Sequence, residues 1–423
     1  MPVTIAAIRS DNSYIGLGKQ VSGGTPVAPT VFPRWQSLSI EIDAKMEDVW
    51  EGDGTRRLSV IIKNLQKVKI KFTAALRAIE LGFVEAMSHG ASSDSYTAPS
   101  VNTTLSSGSV IGATSISVAA NTGLTGSTVI PLVLDAGTNN EEIALFAPPV
   151  TGAGPYTLNV SNTYNGGNGL KIAHTSGHTV QSAGVHVITD QSDGNYYTVE
   201  VGLGSLFGAA GTTLRVRDCK VETCKRSSKA GGLLMHDVEL VGIASTVQGS
   251  PSTVTLEQHQ PFLFTQSSWT VDGSTTGDAP NLKSFDIEQK NNLDTDIQTE
   301  ALTLAAIIFG MINIGVGFEV VFTVASKIYQ TYFGSTSGTT DAQALGLGSL
   351  NVLFTQPDTL QTVAYNILTL GYTKVGLPAP NKDGKHFKLP VSGTSIAAPL
   401  SGVGANNAYL LQTTINNTQY SAY

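Results

Sequence analysis

The stretch "SLSIEIDAKMEDVWEGDGTRRLSVIIKNLQKVKIKFTAALRAIELGFVEAMSHG", Ser37–Gly90, carries a complete order of elements. Its opening, "SLSIEIDAKM", alternates apolar and polar residues, as a strand with one face on a core does. "EDVWEGDGTRR", Glu47–Arg57, is charged and contains a Gly-Asp-Gly turn signal. "LSVIIKNLQKVKIKFTA" then reads as one or two strands. After it the period changes: Leu76, Ile79, Phe83, Val84 and Met87 recur at helical spacing, and Gly90 is a helix stop. Strand, charged extension, strand, short helix is the predicted order.

The same order recurs from Leu282 to Gly334. "LKSFDIEQKNNLDTDIQTEAL" parallels the first strand and its polar extension, and "GVGFEVVFTVASKIYQTYFG" parallels "QKVKIKFTAALRAIELGF". Phe72-Thr73 placed on Phe322-Thr323 also matches Ala75 with Ala325, Arg77 with Lys327 and Phe83 with Phe333. Ile40-Glu41 placed on Ile287-Glu288 needs a shift of three residues, which a loop absorbs. This predicts a duplicated domain. Further strands follow each copy, "YYTVEVGLG" and Leu214–Ala244 in the first, "LNVLFTQ" and "VAYNILTLGYTKVG" in the second.

Between Tyr96 and Thr189 the composition shifts. Only Asp135, Glu141, Glu142 and Lys171 are charged up to that point. "TSISVAA", "STVIPLVLDA", "EEIALFA", "YTLNVSN" and "HTVQSA" read as short strands at regular spacing, a small β-domain inserted into the first copy. "HTSGH", His174–His178, offers two imidazoles with no third ligand near them in sequence, so an exposed turn is expected rather than a metal site.

The whole chain has 423 residues, 41% hydrophobic and only 13% charged, with 44 glycines and a formal charge of −7. That composition suits an all-β protein with many turns and argues against a nucleic-acid binder, which is usually basic. Cys219 and Cys224 lie five apart on one predicted strand, hence on opposite faces, and are expected to be reduced and unpaired. "MPVTIAAIRSDNSYIG" has none of the features of a secretory leader, so synthesis in a cytoplasm is expected. The most apolar window, Glu300–Ala325, is interrupted by Gly310, Asn313, Gly315, Gly317 and Glu319. Two strands about a Gly-rich turn are expected there rather than a membrane span.

"SGTSIAAPLSG", Ser392–Gly402, resembles the nucleophile motif of subtilisin-type proteases, with Ser395 as the attacking residue. Such a serine needs a histidine base and an orienting carboxylate, in chain order Asp, His, Ser. The one His-Gly, His89-Gly90, precedes the only candidate Asp135-Ala136-Gly137, so the order fails. His174, His178, His186, His236, His259 and His386 stand in no matching context. The expectation is a Gly/Ser/Pro-rich surface loop and no catalytic residue.

Three stretches, "TVFPRWQSLSIEIDAKMEDVWEGDGTRR" with the hairpin and helix after it, "LRVRDCKVETCKRSSKAGGLLMHDVELVG", and "PFLFTQSSWTVDG" followed by "LKSFDIEQKNNLD", together resemble the tail tube proteins of long-tailed bacteriophages. The resemblance covers most of 25–98 and 190–335. It implies an all-β fold with one short helix per tube domain: tandem β-sandwich or split-barrel domains at 1–95 plus 190–260 and at 261–423, with an inserted immunoglobulin-like β-domain at 96–189. It implies a structural virion protein that forms stacked rings around a DNA conduit, with no cofactor and no membrane. A chain with two tube domains is expected to form trimeric, pseudo-hexameric rings. Tape measure, tail terminator and distal tail proteins are the implied partners. The charged hairpin supplies the inter-subunit candidates Glu47, Asp48, Trp50, Glu51, Asp53, Arg56 and Arg57. The other reading is a β-rich receptor-binding or adhesin protein, which would form fibres rather than open rings.

Overall fold

The computed structural model describes residues 13–49, 60–90, 94–151, 153–190, 195–202, 213–275, 282–297, 304–321, 328, 332, 347–356, 360–376, 388–397 and 409–423. It is built almost wholly from antiparallel strands. β1 (Tyr14–Lys19), β2 (Trp35–Val49), β3 (Val60–Ala74) and α1 (Ala78–His89) open the chain. β4 (Asp94–Thr97) leads to an inserted unit of β5 (Asn102–Thr104), β6 (Ser115–Val118), β7 (Ile130–Leu134), β8 (Glu142–Thr151), β9 (Tyr156–Val160) and β10 (Thr179–Gln181). β11 (Gly184–Thr189) leaves it, and β12 (Tyr197–Gly202), β13 (Thr213–Lys229), β14 (Met235–Gly242) and β15 (Ala244–Gln248) follow. The second half contains β16 (Ser267–Val271), β17 (Leu282–Lys290), β18 (Asn313–Val321), β19 (Leu347–Thr355), β20 (Thr362–Val375), β21 (Lys388–Ser395) and β22 (Gln412–Asn417).

The pairing pattern of the first half recurs in the second. β1–β12, β2–β3, β3–β14, β12–β13, β13–β14 and β13–β15 correspond to β16–β19, β17–β18, β18–β21, β19–β20, β20–β21 and β20–β22. β13 joins the halves by pairing with β17 from Thr223↔Lys290 to Lys229↔Ser284. The result is a row of eight strands, β2-β3-β14-β13-β17-β18-β21-β20, continued through β22, β11 and β4. The sequence alignment of the two copies is off by four residues. Leu38↔Phe72 and Ile40↔Ile70 correspond in the second hairpin to Phe285↔Phe318 and Ile287↔Val316. Phe72 therefore matches Phe318, not Phe322. A slip of four keeps every side chain on its face, which is why the wrong register still looked consistent.

α1 is buried at every residue except Ile79. The Glu257 carboxylate accepts the N–H groups of Ile79 (3.0 Å) and Glu80 (3.1 Å) at its start, where the helix dipole favours an anion. At its end Gly90 adopts φ 109°, a conformation that favours glycine. It is the one α-helix among the described elements. Of its expected counterpart, Ile328 and Tyr332 are helical and pack on the main core, and the rest lies outside the described residues. No helix among the described residues is long and apolar enough to cross a membrane. Of the apolar window 300–325, the described residues 304–321 contain one strand, β18. The segment before it is irregular, and its Leu304 and Ile307 join Val241 and Ile243 in a small separate core.

The inserted unit has its own core, including Leu132, Phe146, Leu158 and Val180. All five expected strands are present. Their sheet runs β5-β10-β7-β8-β9-β6 and closes on itself through the Leu105↔Val118 bridge and the bonds Ser106 N–H to Ser117 O and Ala119 N–H to Thr104 O. It is therefore a six-stranded closed barrel rather than the expected immunoglobulin-like sandwich. Closure removes both edges of so small a sheet. The stretch set apart by composition, 96–189, also includes β11, which pairs with β22 and β4 in the main sheet.

Excising 102–181 should thus be tolerated. Ser182 N–H donates to Val101 O (3.0 Å), so a two-residue Asn-Gly link can join them as a hairpin. Thermal unfolding of this variant should show the main-body transition unmoved. Excising 96–189 removes β11 from between β22 and β4 and should lower it. Equal behaviour of the two deletions would contradict the assignment of β11 to the body.

Candidate functional site

The eight-stranded row buries one face and leaves the other open. Along β3, Val68, Ile70 and Phe72 are fully buried, while Lys67, Lys69 and Lys71 point the other way. On β14 the inward residues are His236, Val238 and Leu240, and the outward ones Asp237 and Glu239. On β17 they are Phe285, Ile287 and Gln289 against Asp286, Glu288 and Lys290. The period of two explains this division.

Pairing then sets columns of opposite charge side by side. Lys67 lies opposite Asp43, Lys69 opposite Glu41 and Lys71 opposite Glu239. Lys225 on β13 lies between Asp237 and Glu288. The ion pairs Lys69–Asp43 and Lys225–Asp286 span 3.5 Å, and Lys290–Glu288 spans 3.2 Å. These groups are about 40–50% exposed, so each pair contributes only about 0–1 kcal/mol of stability. Their main effect is on the field of the face: Lys69, Lys225 and Lys290 each have a carboxylate within 3.5 Å, and Lys67 and Lys71 each lie opposite one in the ladder. The columns were missed from sequence because cross-strand partners are far apart in the chain. The alternation of lysine with apolar residues in "KVKIKF" was the visible half of the signal.

Beyond Asp43↔Lys67 the hairpin leaves the sheet. β14 stops pairing with β3 at Val68, yet β2 and β3 continue together from Ala44↔Gln66 to Val49↔Val60. Of the expected contact residues, Glu47 and Asp48 lie on this ribbon, opposite Ile62 and Ile61. Trp50, Glu51, Asp53, Arg56 and Arg57 lie outside the described residues. Ile61 is 57% exposed.

The remaining candidates resolve individually. Ser395 lies on β21, 7% exposed, and its hydroxyl donates to Leu410 O (2.6 Å). The motif thus starts in a strand, not the expected surface loop, and among the described residues no imidazole is hydrogen-bonded to Ser395. His174 is buried, not on an exposed turn. Its Nδ1 meets Asp135 (2.8 Å) and its Nε2 meets Glu142 (2.9 Å), while His178 meets the other oxygen of Asp135 (2.7 Å). Burial alone would lower the pKa of His174, but the hydrogen bonds to Glu142 and Asp135 raise it. Its carboxylates lie on opposite sides of the ring, and among the described residues no group of three or more His, Cys, Asp or Glu is placed to hold a metal. Cys219 and Cys224 are free and both buried in the main core. They do not lie on opposite faces, because a register shift between Val221 and Thr223 adds a residue between them.

No family model matches the chain, and no curated protein matches it.

Proposed function

We propose that this chain is a structural subunit of a hollow tube, the major tail tube protein of a long-tailed bacteriophage, with the open face of the eight-stranded row as the wall of a DNA conduit. The observation that carries this reading is the repeated row itself. Two copies of one strand order lie side by side, joined through β13 and β17, and the outer edge of β2 ends the row.

At the other end of the row, β20 continues through Thr373–Val375 beyond its last β19 pair at Gly371, with β21 as its sheet partner there. A neighbouring copy's β2 can add to this segment as β17 adds to β13. The charges agree: Lys374 would meet Glu41 and Asp43, as Lys225 meets Asp286 and Glu288. Such a contact is head-to-tail and closes into a ring. Three chains give about twenty-four strands at about 4.8 Å spacing and a tilt of about 40°, a barrel roughly 45–50 Å across. That leaves room for a duplex once side chains are subtracted. A wall whose lysines are matched by carboxylates offers phosphates few unpaired cations and would not retain DNA.

Electron microscopy of purified protein and native mass spectrometry of a released ring test the reading. Hollow rings or tubes with three chains per ring are expected. Fibres would favour the adhesin reading, and six chains per ring would show that the second half is not a tube-forming domain.

A further inference from the structure

Where the inserted barrel meets the body, a cluster of charges joins the two. Glu141 sits on the β7–β8 turn of the barrel, and its Oε2 accepts Gly137 N–H (2.7 Å). Its other oxygen meets His259 Nε2 at 3.0 Å. His259 belongs to the segment between β15 and β16, which links the two halves. Its Nδ1 meets Glu257 at 3.1 Å. The second oxygen of that same Glu257 caps α1 through Ile79 and Glu80. A single imidazole thus ties the barrel, the inter-half linker and the start of the core helix together. Tyr420 of the body also lies within the field of Glu141, and the chain passes between barrel and body through two connectors, 98–101 and 182–183.

We propose that the Glu141–His259–Glu257 bridge is a latch that fixes the orientation of the inserted barrel on the body, and that the barrel pivots about its two connectors when the bridge is opened. The surroundings favour a charged imidazole. Arg77 donates to the His259 carbonyl (2.6 Å) and Arg34 to the Glu257 carbonyl (3.1 Å), so both cations engage main chain here. Glu80, Tyr420 and Tyr423 complete the titratable groups around the cluster. Burial alone would lower the pKa of His259, but its contacts with the Glu141 and Glu257 carboxylates push it up to about 10. The folded value lies above the unfolded 6.5. The latch is therefore at full strength below about pH 6.5, holds at neutral pH, and is lost as pH rises through about 10. The proposal is independent of the tube reading, since it concerns one chain.

The test uses the full-length unassembled chain with dyes on Ser127→Cys in the barrel and Ser250→Cys on the linker. Both positions are exposed, whereas the native cysteines are buried. At pH 7 a single narrow transfer-efficiency peak is expected. Glu141→Gln and His259→Gln should each broaden it, and the double variant should be no broader than either single, since all three lack one bridge. Raising the pH to about 10.5 should broaden the parent distribution and leave that of Glu141→Gln unchanged. Glu141 lies on the barrel surface, so its variant remains decisive if His259→Gln perturbs the body. Unchanged peak widths in Glu141→Gln, or additive broadening in the double variant, would overturn the proposal.

Discussion

Replacing Arg226 by Met should destabilise the main core by about 3–5 kcal/mol, the largest single-residue effect expected in this chain. Arg226 and Glu85 are both fully buried. The guanidinium Nε donates to both Glu85 oxygens (2.9 and 3.1 Å), and Nη2 donates to Ser88 and Gln289 (3.0 Å each). Tyr365 on β20 donates to the same carboxylate (3.3 Å), and Thr413 on β22 lies 3.4 Å from it. One ion pair thereby holds α1 under β13 of the first half and β17, β20 and β22 of the second. Burial alone would raise the Glu85 pKa, but the Arg226 charge, the imidazoles of His236 and His89 at 3.4 Å each and the hydrogen bonds from Arg226 hold it well below its ordinary value. Removing Arg226 leaves a buried carboxylate without its cation. The Glu85→Gln/Arg226→Met double variant removes both charges and should recover a large part of the loss. A group with a depressed folded pKa contributes stability above its unfolded value, here 4.5, which is lost as pH falls. The gap between parent and Arg226→Met should therefore be full at pH 7 and shrink as pH falls below about 4.5. Equilibrium urea unfolding at several pH values checks both points, and a gap under 1 kcal/mol at pH 7 would contradict them.

How much of this was legible in the sequence depends on the range of the interaction. The alternation in "SLSIEIDAKM", the helical period after Ala75 and the five strands of the inserted unit are local signals, and the structure contains each of these elements. Arg226 was half legible. Cys224, Arg226 and Ser228 share one parity on β13, and Cys224 is an inward residue, so the guanidinium had to point inward as well. What the sequence could not supply was its partner, Glu85, 141 residues away. His174 failed for the same reason: its carboxylates, Asp135 and Glu142, lie 39 and 32 residues off. The four-residue slip between the copies and the bulge at Val221/Thr223 are register effects. A hydrophobic pattern with a period of two cannot fix an even shift, nor does it announce an inserted residue.

The second large effect should come from the ribbon that leaves the sheet. Pairing of β17 with β18 ends at Lys290↔Asn313, whereas β2 and β3 continue past the equivalent point at Asp43↔Lys67 to Val49↔Val60. No third strand accompanies this extension among the described residues. A bare two-stranded ribbon is marginal in water. Its sequence is nonetheless rich in apolar residues, Met46, Val49, Val60, Ile61, Ile62 and Leu65, more than a free solvated hairpin needs. Ile61, 57% exposed, would be covered if the ribbon lay against another copy, so charge is not the ribbon's main feature, as its tip alone suggested. Replacing 45–65 by Asn-Gly closes β2 and β3 with a two-residue turn between Ala44 and Gln66, which already face each other. The shortened chain should stay folded, with its melting transition close to that of the parent, because β3 joins the rest of the sheet through β14 only from Val68 onward. On the proposed tube reading, assembly should be abolished, and sedimentation should find only unassembled protein under conditions in which the parent assembles. Normal tubes from the shortened chain would remove the ribbon from the interface and leave the proposed edge pairing between β2 and β20 to hold the assembly.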